Sequence, residues 1–519
     1  MLKIAFLIGI YSYCVLLLGL AGCLRVSFLL PLTVLFVLVS LYLMQEELKY
    51  IGRAKSIFNK KKERVLFLFL GLLLLVNLIG ALGPELAFDA LWYHLTIPKI
   101  YLLHAKTYFI PGNLLYYNLM PKLSEMLYVA ALALGNEIVA KMVHYFFGIL
   151  SCIALYRLSR LYLTRSWAIV AVIVFYSNLV ISWLSITAYS DLPRVFFEIL
   201  SFYYFLLYTK KKKNSHFVAS ALLLGFAIST KVLAVGTVAI FGVLIWSLKL
   251  NTRIKLRRML FFSLLSLLVP LPWFVISYMN TGNPVFPLFT HLGLRNFSFQ
   301  LLSPFTIVKT FMNIFLFSSD PISPIYIICL PLVFLLLVSK FKTYKLLFLY
   351  SVISFIIWYT TSQSGGARFL SAYLPVYTLL SVLAISSLKR KMIVSISFGL
   401  ILFIAVVTIV YRATANARYI PVLLGLQTKQ DFLMKNLNFS FGDFYDENSE
   451  IKKIVGEETV ELLNMHNLYY VDFPFTLSEF SEDKKATYVL VQSGDIPQSY
   501  RNTRLIYKND KTHVKLYKL

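Results

Sequence analysis

Long apolar runs, separated by short polar stretches, fill the first 411 residues of the chain. A helix of about 20 apolar residues is long enough to cross the hydrocarbon core of a bilayer. The pattern therefore predicts thirteen membrane-spanning segments. They cover residues 4–23, 26–44, 65–83, 138–157, 167–186, 194–208, 217–230, 232–248, 259–277, 325–339, 345–361, 369–387 and 392–411. The seventh and eighth of these fit either two spans or one broken helix.

Basic residues concentrate in every second connection between these runs. The basic stretches lie at 45–64, 157–165, 210–213, 249–258, 340–345 and 389–391. Short loops rich in Lys and Arg stay in the cytoplasm, so the alternation places the N-terminus inside. An odd number of spans then places the C-terminus outside.

Composition agrees with a polytopic membrane protein, since 59% of the 519 residues are hydrophobic and only 14% are charged. The net charge of +26 arises within residues 1–411, because acidic and basic residues balance in 412–519. Its position in cytoplasmic loops indicates topology, and we expect no nucleic-acid partner. The four cysteines lie in apolar runs without metal-ligand spacing, which disfavours a zinc site or a disulfide framework.

Two domains are predicted. Residues 1–411 form an all-α transmembrane domain with two long non-cytoplasmic loops, 84–137 and 278–324. Within the first loop, residues 124–134 are apolar enough to lie in the membrane interface as a helix. Residues 412–519 are polar and form a small soluble domain of α/β type outside the cytoplasm. Its predicted elements are a helix over 429–437 and strands over 459–471 and 486–492.

Six ionisable residues from separate segments are predicted to lie at one face of the membrane, at the non-cytoplasmic ends of helices or in outer loops. They are Glu85, Asp89, His94, Asp191, Lys231 and Arg368. Charge near the hydrocarbon is costly, so it usually marks a functional site. Their convergence on one face suggests chemistry on a charged lipid headgroup.

The first outer loop offers a candidate base. Asp89 can accept a proton from an attacking hydroxyl or, with Glu85, ligate a hard divalent cation; capping of a helix explains an Asp here equally well. If the segment is helical, Tyr93 shares a face with Asp89. His94 is either a ligand for phosphate or a sugar hydroxyl, or a hydrogen-bonded structural residue.

The remaining candidates each have a structural reading beside the functional one. Asp191 precedes Pro193 and fits the cap of the next helix. Lys231 either snorkels to the interface or binds a lipid phosphate. Arg368 follows two glycines, which let the backbone approach a ligand, and its fork matches phosphate. Arg194 and Glu198 are four residues apart and predict an ion pair within a helix.

These features resemble the GT-C glycosyltransferases, and among them the bacterial branch with protein O-mannosyltransferases, lipid A aminoarabinose transferases and Rgt-type lipopolysaccharide transferases. The resemblance covers residues 65–390. It rests on Glu85 and Asp89 leading into Tyr93-His94-Leu95, on Asp191-Leu192-Pro193, on residues 225–231, on Pro272-Trp273 with Thr281-Gly282-Asn283-Pro284, and on Arg368-Phe369.

The resemblance implies a sugar transfer from a polyprenyl-phosphate donor to an envelope glycan, lipid or protein, by an inverting single displacement at the outer face of a bacterial cytoplasmic membrane. Asp89 would be the catalytic base, and Lys231 and Arg368 would bind the donor phosphate. Further substrate contacts would come from Glu85, Tyr93, His94 and Asp191. A divalent cation, Mg²⁺ or Mn²⁺, would bind at Asp89 and Glu85, although Ala90 follows Asp89 and there is no adjacent acidic pair.

A multi-pass transporter or flippase of lipid-linked sugars is the alternative, because intramembrane charge also marks ion pathways. Glu198 is the residue that a proton relay would use. The concentration of the other charges at one face favours the enzyme.

Overall fold

The computed structural model describes residues 1–52, 61–110, 115–287, 290, 303–317, 322–361, 366–437, 442–477, 486–492, 496, 500 and 503–519. Helices dominate residues 1–423. The first are α1 (Leu2–Leu20), α2 (Val26–Gly52), α3 (Lys61–Leu82), α4 (Thr96–Leu103), α5 (Leu115–Asn118), α6 (Leu123–Leu134), α7 (Glu137–Ser159), α8 (Arg165–Tyr176), α9 (Leu179–Leu184) and α10 (Asp191–Lys211). A single turn of π-helix, Ala90–His94, precedes α4.

The second half of the helical domain continues in the same way. It contains α11 (Asn214–Thr230), α12 (Val235–Trp246), α13 (Thr252–Leu268), α14 (Leu271–Thr281), α15 (Pro304–Met312), α16 (Ile325–Thr360), α17 (Gly366–Leu370), α18 (Leu374–Ser386), α19 (Lys391–Ala417) and α20 (Ile420–Leu423). A 3₁₀ turn, Val232–Ala234, separates α11 from α12, so the pair predicted there is broken at Lys231.

In the described part of the chain, six helices are long and apolar enough to cross a membrane, or seven if the bent pair α13 and α14 counts as one span. Six further apolar helices are only 10–17 residues long. The prediction of thirteen spans is thus matched in number only if short helices also cross. Only 6% of the most apolar stretch of α2 and 17% of that of α19 are buried inside the protein. Most of their apolar surface therefore faces outward, as contact with lipid requires.

Two predicted spans differ in detail from the observed helices. The span 259–277 is two helices at 69°, because Pro270 and Pro272 interrupt the backbone hydrogen bonds at the bend. The span 167–186 divides into α8 and α9. The spans 325–339 and 345–361 meet within α16, and the non-helical backbone at Lys340 and Tyr344 lies at the predicted break between them.

Helix α10 lies at the centre of the helical domain, packed against α7 and α11. Every residue from Asp191 to Phe202 is buried. Helix α6 is also enclosed, since Leu123 to Ala131 are all buried, so the predicted interfacial helix over 124–134 packs inside the protein. The central helix therefore places its first residue, Asp191, in the interior of the helical domain.

The C-terminal part is α/β, as predicted. It has helices α21 (Lys429–Asn436) and α22 (Glu450–Val455) and a five-stranded sheet ordered β2-β1-β3-β5-β4. The strands are β1 (Val460–Leu463), β2 (Phe475–Thr476), β3 (Tyr488–Gln492), β4 (Arg504–Asn509) and β5 (Val514–Lys518). Strand β1 pairs in parallel with β2 and β3, and β5 pairs antiparallel with β3 and β4. The predicted strand over 459–471 is longer than β1, and β4 and β5 were not predicted.

The C-terminal part packs directly on the loop that follows α3. The backbone N–H groups of Leu468 and Tyr469 donate to the carbonyl of Leu91, at 3.2 and 3.0 Å. The Lys99 ammonium donates to the carbonyls of Tyr469 and Val471, at 2.8 and 2.6 Å. A buried apolar cluster joins the two parts through Leu91, Ile186, Tyr419, Phe432, Leu433 and Leu437. The segment 468–471 is thus fixed against the turn that follows Asp89.

A buried lysine fixes the start of the same loop. The Lys141 ammonium, fully buried on α7, donates to the carbonyls of Gly80, Gly83 and Pro84 at 2.9, 2.7 and 3.1 Å. These carbonyls lie at the C-terminal end of α3, where helix hydrogen bonding ends and a cation is favoured. Lys141 therefore determines how the loop leaves α3.

Replacing Lys141 with Met should strongly destabilise the protein. Three buried carbonyls would lose their donor, at a cost on the order of 3–5 kcal/mol of unfolding free energy. Thermal unfolding in detergent, followed by size-exclusion chromatography, measures the effect. Lys508→Met, at an exposed lysine, is the control and should leave the unfolding temperature unchanged. Equal unfolding temperatures for the two variants would contradict this role of Lys141.

Lys99→Met should loosen the contact between the two parts, with a loss of about 1–3 kcal/mol at neutral pH because two carbonyls lose their donor. Burial lowers the pKa of Lys99 to about 8. Between that value and the usual 10.4, the unfolded chain binds more protons, so the wild type gains stability as pH rises. The difference in unfolding temperature between wild type and variant should widen from pH 7.5 to 9.5. A difference that does not change with pH would argue against this contact.

Candidate active site

Four of the predicted residues form one cluster of alternating charge. Arg368 contacts Asp89 through Nη1 at 2.5 Å and Asp191 through Nε at 3.1 Å. Lys231 contacts the other oxygen of Asp191 at 2.8 Å. The side chains contact one another in the order Asp89, Arg368, Asp191, Lys231, so two carboxylates alternate with two cations. Attraction between opposite charges offsets the desolvation cost of burying all four. Residues up to 279 positions apart in the sequence therefore meet at one place.

Local backbone geometry places each of these side chains. Asp89 directly precedes the π-helical turn, and Asp191 is the first residue of α10. Lys231 has extended backbone between α11 and the 3₁₀ turn, which ends one helix and turns the chain. Arg368 lies on the short helix α17, whose first residue, Gly366, has a φ of +52° that favours glycine. Gly365 lies outside the described residues.

Exposure differs within the cluster. The side chains of Asp89, Arg368 and Lys231 are 18%, 14% and 14% exposed, whereas that of Asp191 is 3% exposed. Asp191 was predicted to cap α10, but Ser190 holds the cap position and the Asp191 carboxylate accepts from the two cations instead. Asp191 therefore orients Lys231 and Arg368 from beneath, and the other three side chains remain accessible to a ligand.

Aromatic rings enclose the two cations. The Arg368 guanidinium lies 4.3 Å from the centre of the Tyr189 ring, and the Lys231 ammonium lies 4.6 Å from that of Phe369. The hydroxyl of Tyr189 also accepts the backbone N–H of Asp89, at 3.1 Å. Cation–π contacts add attraction in a poorly hydrated site. Tyr189 thus links both sides of the cluster, and the sequence analysis did not select it.

Asp89 is held in its ionised form. Burial by itself would raise the pKa of this carboxyl, but the Arg368 guanidinium, together with the Lys231 ammonium, outweighs burial and keeps the pKa below its usual value. At neutral pH the site therefore contains a carboxylate that accepts hydrogen bonds. Its tight pairing with Arg368 also keeps it from binding a proton strongly.

Glu85 has a different role from the predicted one. Its carboxylate accepts the backbone N–H groups of Leu86, Ala87 and Ala188, at 2.9, 2.8 and 2.7 Å, and the residue is 1% exposed. Asp89 is meanwhile paired with Arg368. Over the residues that the structure describes, no three His, Cys, Asp or Glu side chains gather as metal ligands. The residues present therefore do not fit the predicted two-carboxylate cation site.

Tyr93 and His94 lie beside the cluster rather than in it. The chain after Asp89 forms a π-helical turn, in which Leu95 N–H bonds to Ala90, and Tyr93 is an electrostatic neighbour of both Asp89 and Arg368. The Tyr93 ring stacks on Tyr117 at 3.7 Å. His94 bonds to Glu125 on α6. A carboxylate in the apolar stretch 123–134 was the signal that could have identified Glu125 from the sequence.

Below the cluster, the predicted ion pair of α10 is present. Arg194 Nε contacts Glu198 at 2.6 Å. Thr237 donates to Glu198 at 3.0 Å, and Arg194 donates to the hydroxyl of Tyr373 at 3.1 Å. This fully buried network joins α10, α12 and α18, which favours a structural role for Glu198 over a proton relay.

Part of the sequence matches the model of a known protein family. Residues 126–276 match the model of the dolichyl-phosphate-mannose-protein mannosyltransferase family. No curated protein sequence matches the chain.

Solved structures are similar over most of the chain. ArnT from Cupriavidus metallidurans bound to undecaprenyl phosphate aligns with a TM-score of 0.58 and 12% identity, covering 88% of this chain and 98% of ArnT. Its apo state aligns with a TM-score of 0.56, at the same identity and coverage. The oligosaccharyltransferase of Archaeoglobus fulgidus, tethered to an acceptor peptide, aligns with a TM-score of 0.51 and 12% identity, covering 84% of this chain and 70% of that one.

The resemblance seen in the sequence is confirmed at the level of the fold, including the helical domain and the small C-terminal sheet. The chain is a multi-pass membrane protein with the fold of ArnT, the GT-C fold.

Proposed function

We propose that this protein is an integral membrane glycosyltransferase that moves a sugar from a polyprenyl-phosphate donor to an envelope glycan, lipid or protein. The observation that carries the proposal is the cluster of Asp89, Lys231 and Arg368, three partly exposed charged side chains held together by Asp191. When a hydroxyl displaces a phosphate, cations stabilise the charge on the leaving phosphate and a carboxylate can take the proton of the hydroxyl. The same fold binds undecaprenyl phosphate in ArnT.

The two cations bind the leaving group. As the bond between C1 of the sugar and the phosphate oxygen breaks, negative charge grows on the phosphate. Lys231 and Arg368 are already oriented by Asp191, so they stabilise this charge without reorganising. The aromatic rings of Tyr189 and Phe369 keep water from both cations, which strengthens their attraction for phosphate.

Asp89 acts on the acceptor. An ionised carboxylate accepts a hydrogen bond from the acceptor hydroxyl and takes its proton as the new bond to C1 forms. Attack from the face opposite the phosphate inverts the anomeric centre in a single displacement. We leave a divalent cation out of this mechanism, because Glu85, its predicted second ligand, is occupied by three backbone N–H groups.

The reaction takes place at the outer face of a bacterial cytoplasmic membrane, with the N-terminus inside and residues 412–519 outside. The alternation of basic loops supports this orientation. It puts the cluster and the C-terminal part on the same side, in agreement with their contact through Leu91. The alternative function, a transporter of lipid-linked sugars, is disfavoured because Glu198 is closed in a buried ion pair.

The test is donor turnover by the purified protein. It is incubated with polyprenyl-phosphate hexoses or pentoses and an envelope extract as acceptor, and release of polyprenyl phosphate is measured. Asp89→Asn should lower the rate about 10²–10⁴-fold, because the base is lost. Arg368→Lys keeps the charge but loses the planar fork, and should lower the rate about 10²-fold.

Arg504→Gln, at an exposed residue of β4, is the matched control and should turn over donor like the wild type. Unfolding temperatures establish that each variant is folded. Wild-type turnover in folded Asp89→Asn would rule out the assigned base. Failure of the wild type to release polyprenyl phosphate from every donor would overturn the proposed function.

A further inference from the structure

A buried histidine and a buried glutamate form a pair beside the charge cluster. His94 ends the π-helical turn that follows Asp89, and Glu125 lies in the first turn of α6. His94 Nδ1 is 2.6 Å from Glu125 Oε1, and the side chains are 4% and 7% exposed. A carboxylate oxygen accepts hydrogen bonds, so Nδ1 is the donor, and in a neutral imidazole Nε2 then has a free lone pair.

The second polar atom of each partner is unsatisfied. Among the described residues, His94 Nε2 and Glu125 Oε2 are buried and make no hydrogen bond within the protein. Leaving a buried polar atom unpaired is costly, and two such atoms in one contacting pair require an explanation. A role in the reaction supplies one, because a proton acceptor needs a lone pair that no donor within the protein already occupies.

Another buried histidine of the same region shows what a structural imidazole is like in this protein. His144, on α7, has Nδ1 at 2.8 Å from the carbonyl of Leu184, and its Nε2 accepts the backbone N–H of Leu192 at 3.2 Å. Both of its nitrogens are satisfied. The open Nε2 of His94 is therefore not a general property of buried histidines in this fold.

Tyr189 connects His94 to the charge cluster. The centre of the His94 ring lies 5.4 Å from the centre of the Tyr189 ring. The Arg368 guanidinium lies over that same Tyr189 ring, and the Tyr189 hydroxyl accepts the backbone N–H of Asp89. Asp89 itself is paired with Arg368 at 2.5 Å, so it holds a proton weakly. An imidazole is an intrinsically stronger base than a carboxylate.

We propose that His94, oriented by Glu125, receives the proton that Asp89 takes from the acceptor hydroxyl. This inference rests on the proposed glycosyl transfer. The acceptor oxygen bonds to C1, the bond from C1 to the phosphate oxygen breaks with its electron pair on the phosphate, and the hydroxyl proton passes through Asp89 to His94 Nε2. The imidazolium that forms is stabilised by the Glu125 carboxylate, which makes Glu125 a positioning residue.

The decisive variant is His94→Asn. The amide nitrogen of Asn occupies the place of Nδ1 and keeps the hydrogen bond to Glu125, but no atom replaces Nε2. We expect kcat to fall about 10²-fold while KM changes less than about 2-fold, because proton acceptance is lost and substrate binding is kept. Glu125→Gln keeps the shape of the pair without its charge and should lower kcat about 10-fold.

His104→Asn is the matched control, an exposed histidine of the same outer loop, and should behave as the wild type. Stabilisation against heat by added polyprenyl phosphate tests whether each variant keeps the phosphate site. We expect His94→Asn to be stabilised like the wild type.

Wild-type kcat in His94→Asn, with Asp89→Asn inactive, would overturn this inference and leave the proposed function standing. Loss of stabilisation by polyprenyl phosphate together with kcat would show a structural role and would also overturn it. If the wild type turns over no donor, the proposed function and this inference fall together.

Discussion

The carboxylate of Asp191 is the interaction on which the site depends. Its two oxygens bind Lys231 and Arg368, and Arg368 in turn binds Asp89. Removing one partner of a buried ion pair typically costs about 3–5 kcal/mol, because the other charge is left unpaired. The site is therefore a single electrostatic unit. Asp191 is most deeply buried, so it determines where the two cations stand before any ligand arrives.

Packing around α10 brings this unit together. The helix is buried along its first three turns and presents Asp191 at its outer end, while the Arg194–Glu198 pair joins it to α12 and α18 lower down. Two lysines then fix the first outer loop: Lys141 binds the carbonyls at the end of α3, and Lys99 binds the C-terminal part. Asp89 lies between these two fixed points. Its position is thus set by contacts from both domains of the chain.

Much of the site was predictable because charge near hydrocarbon is rare and costly. Asp89, Asp191, Lys231 and Arg368 could be selected from the sequence, and the basic loops indicated that they share one face. The contacts that these and neighbouring side chains make could not be predicted from the sequence. Glu85 was predicted to bind substrate or metal, yet three backbone N–H groups surround it. Glu125 was not predicted, because a single carboxylate in an apolar run does not indicate which distant side chain it contacts.

By itself, the sequence determined that the chain crosses a membrane many times, that it contains rare charged residues near the ends of apolar helices, and that residues 412–519 differ in character. Hydrophobicity and charge act locally, so they can be read from neighbouring residues. Only the tertiary structure decided the pairs Arg368–Asp89 and His94–Glu125, the break of 259–277 into two helices, and the docking of 468–471 on Leu91. Such contacts join residues far apart in the chain, and their geometry depends on how whole helices pack.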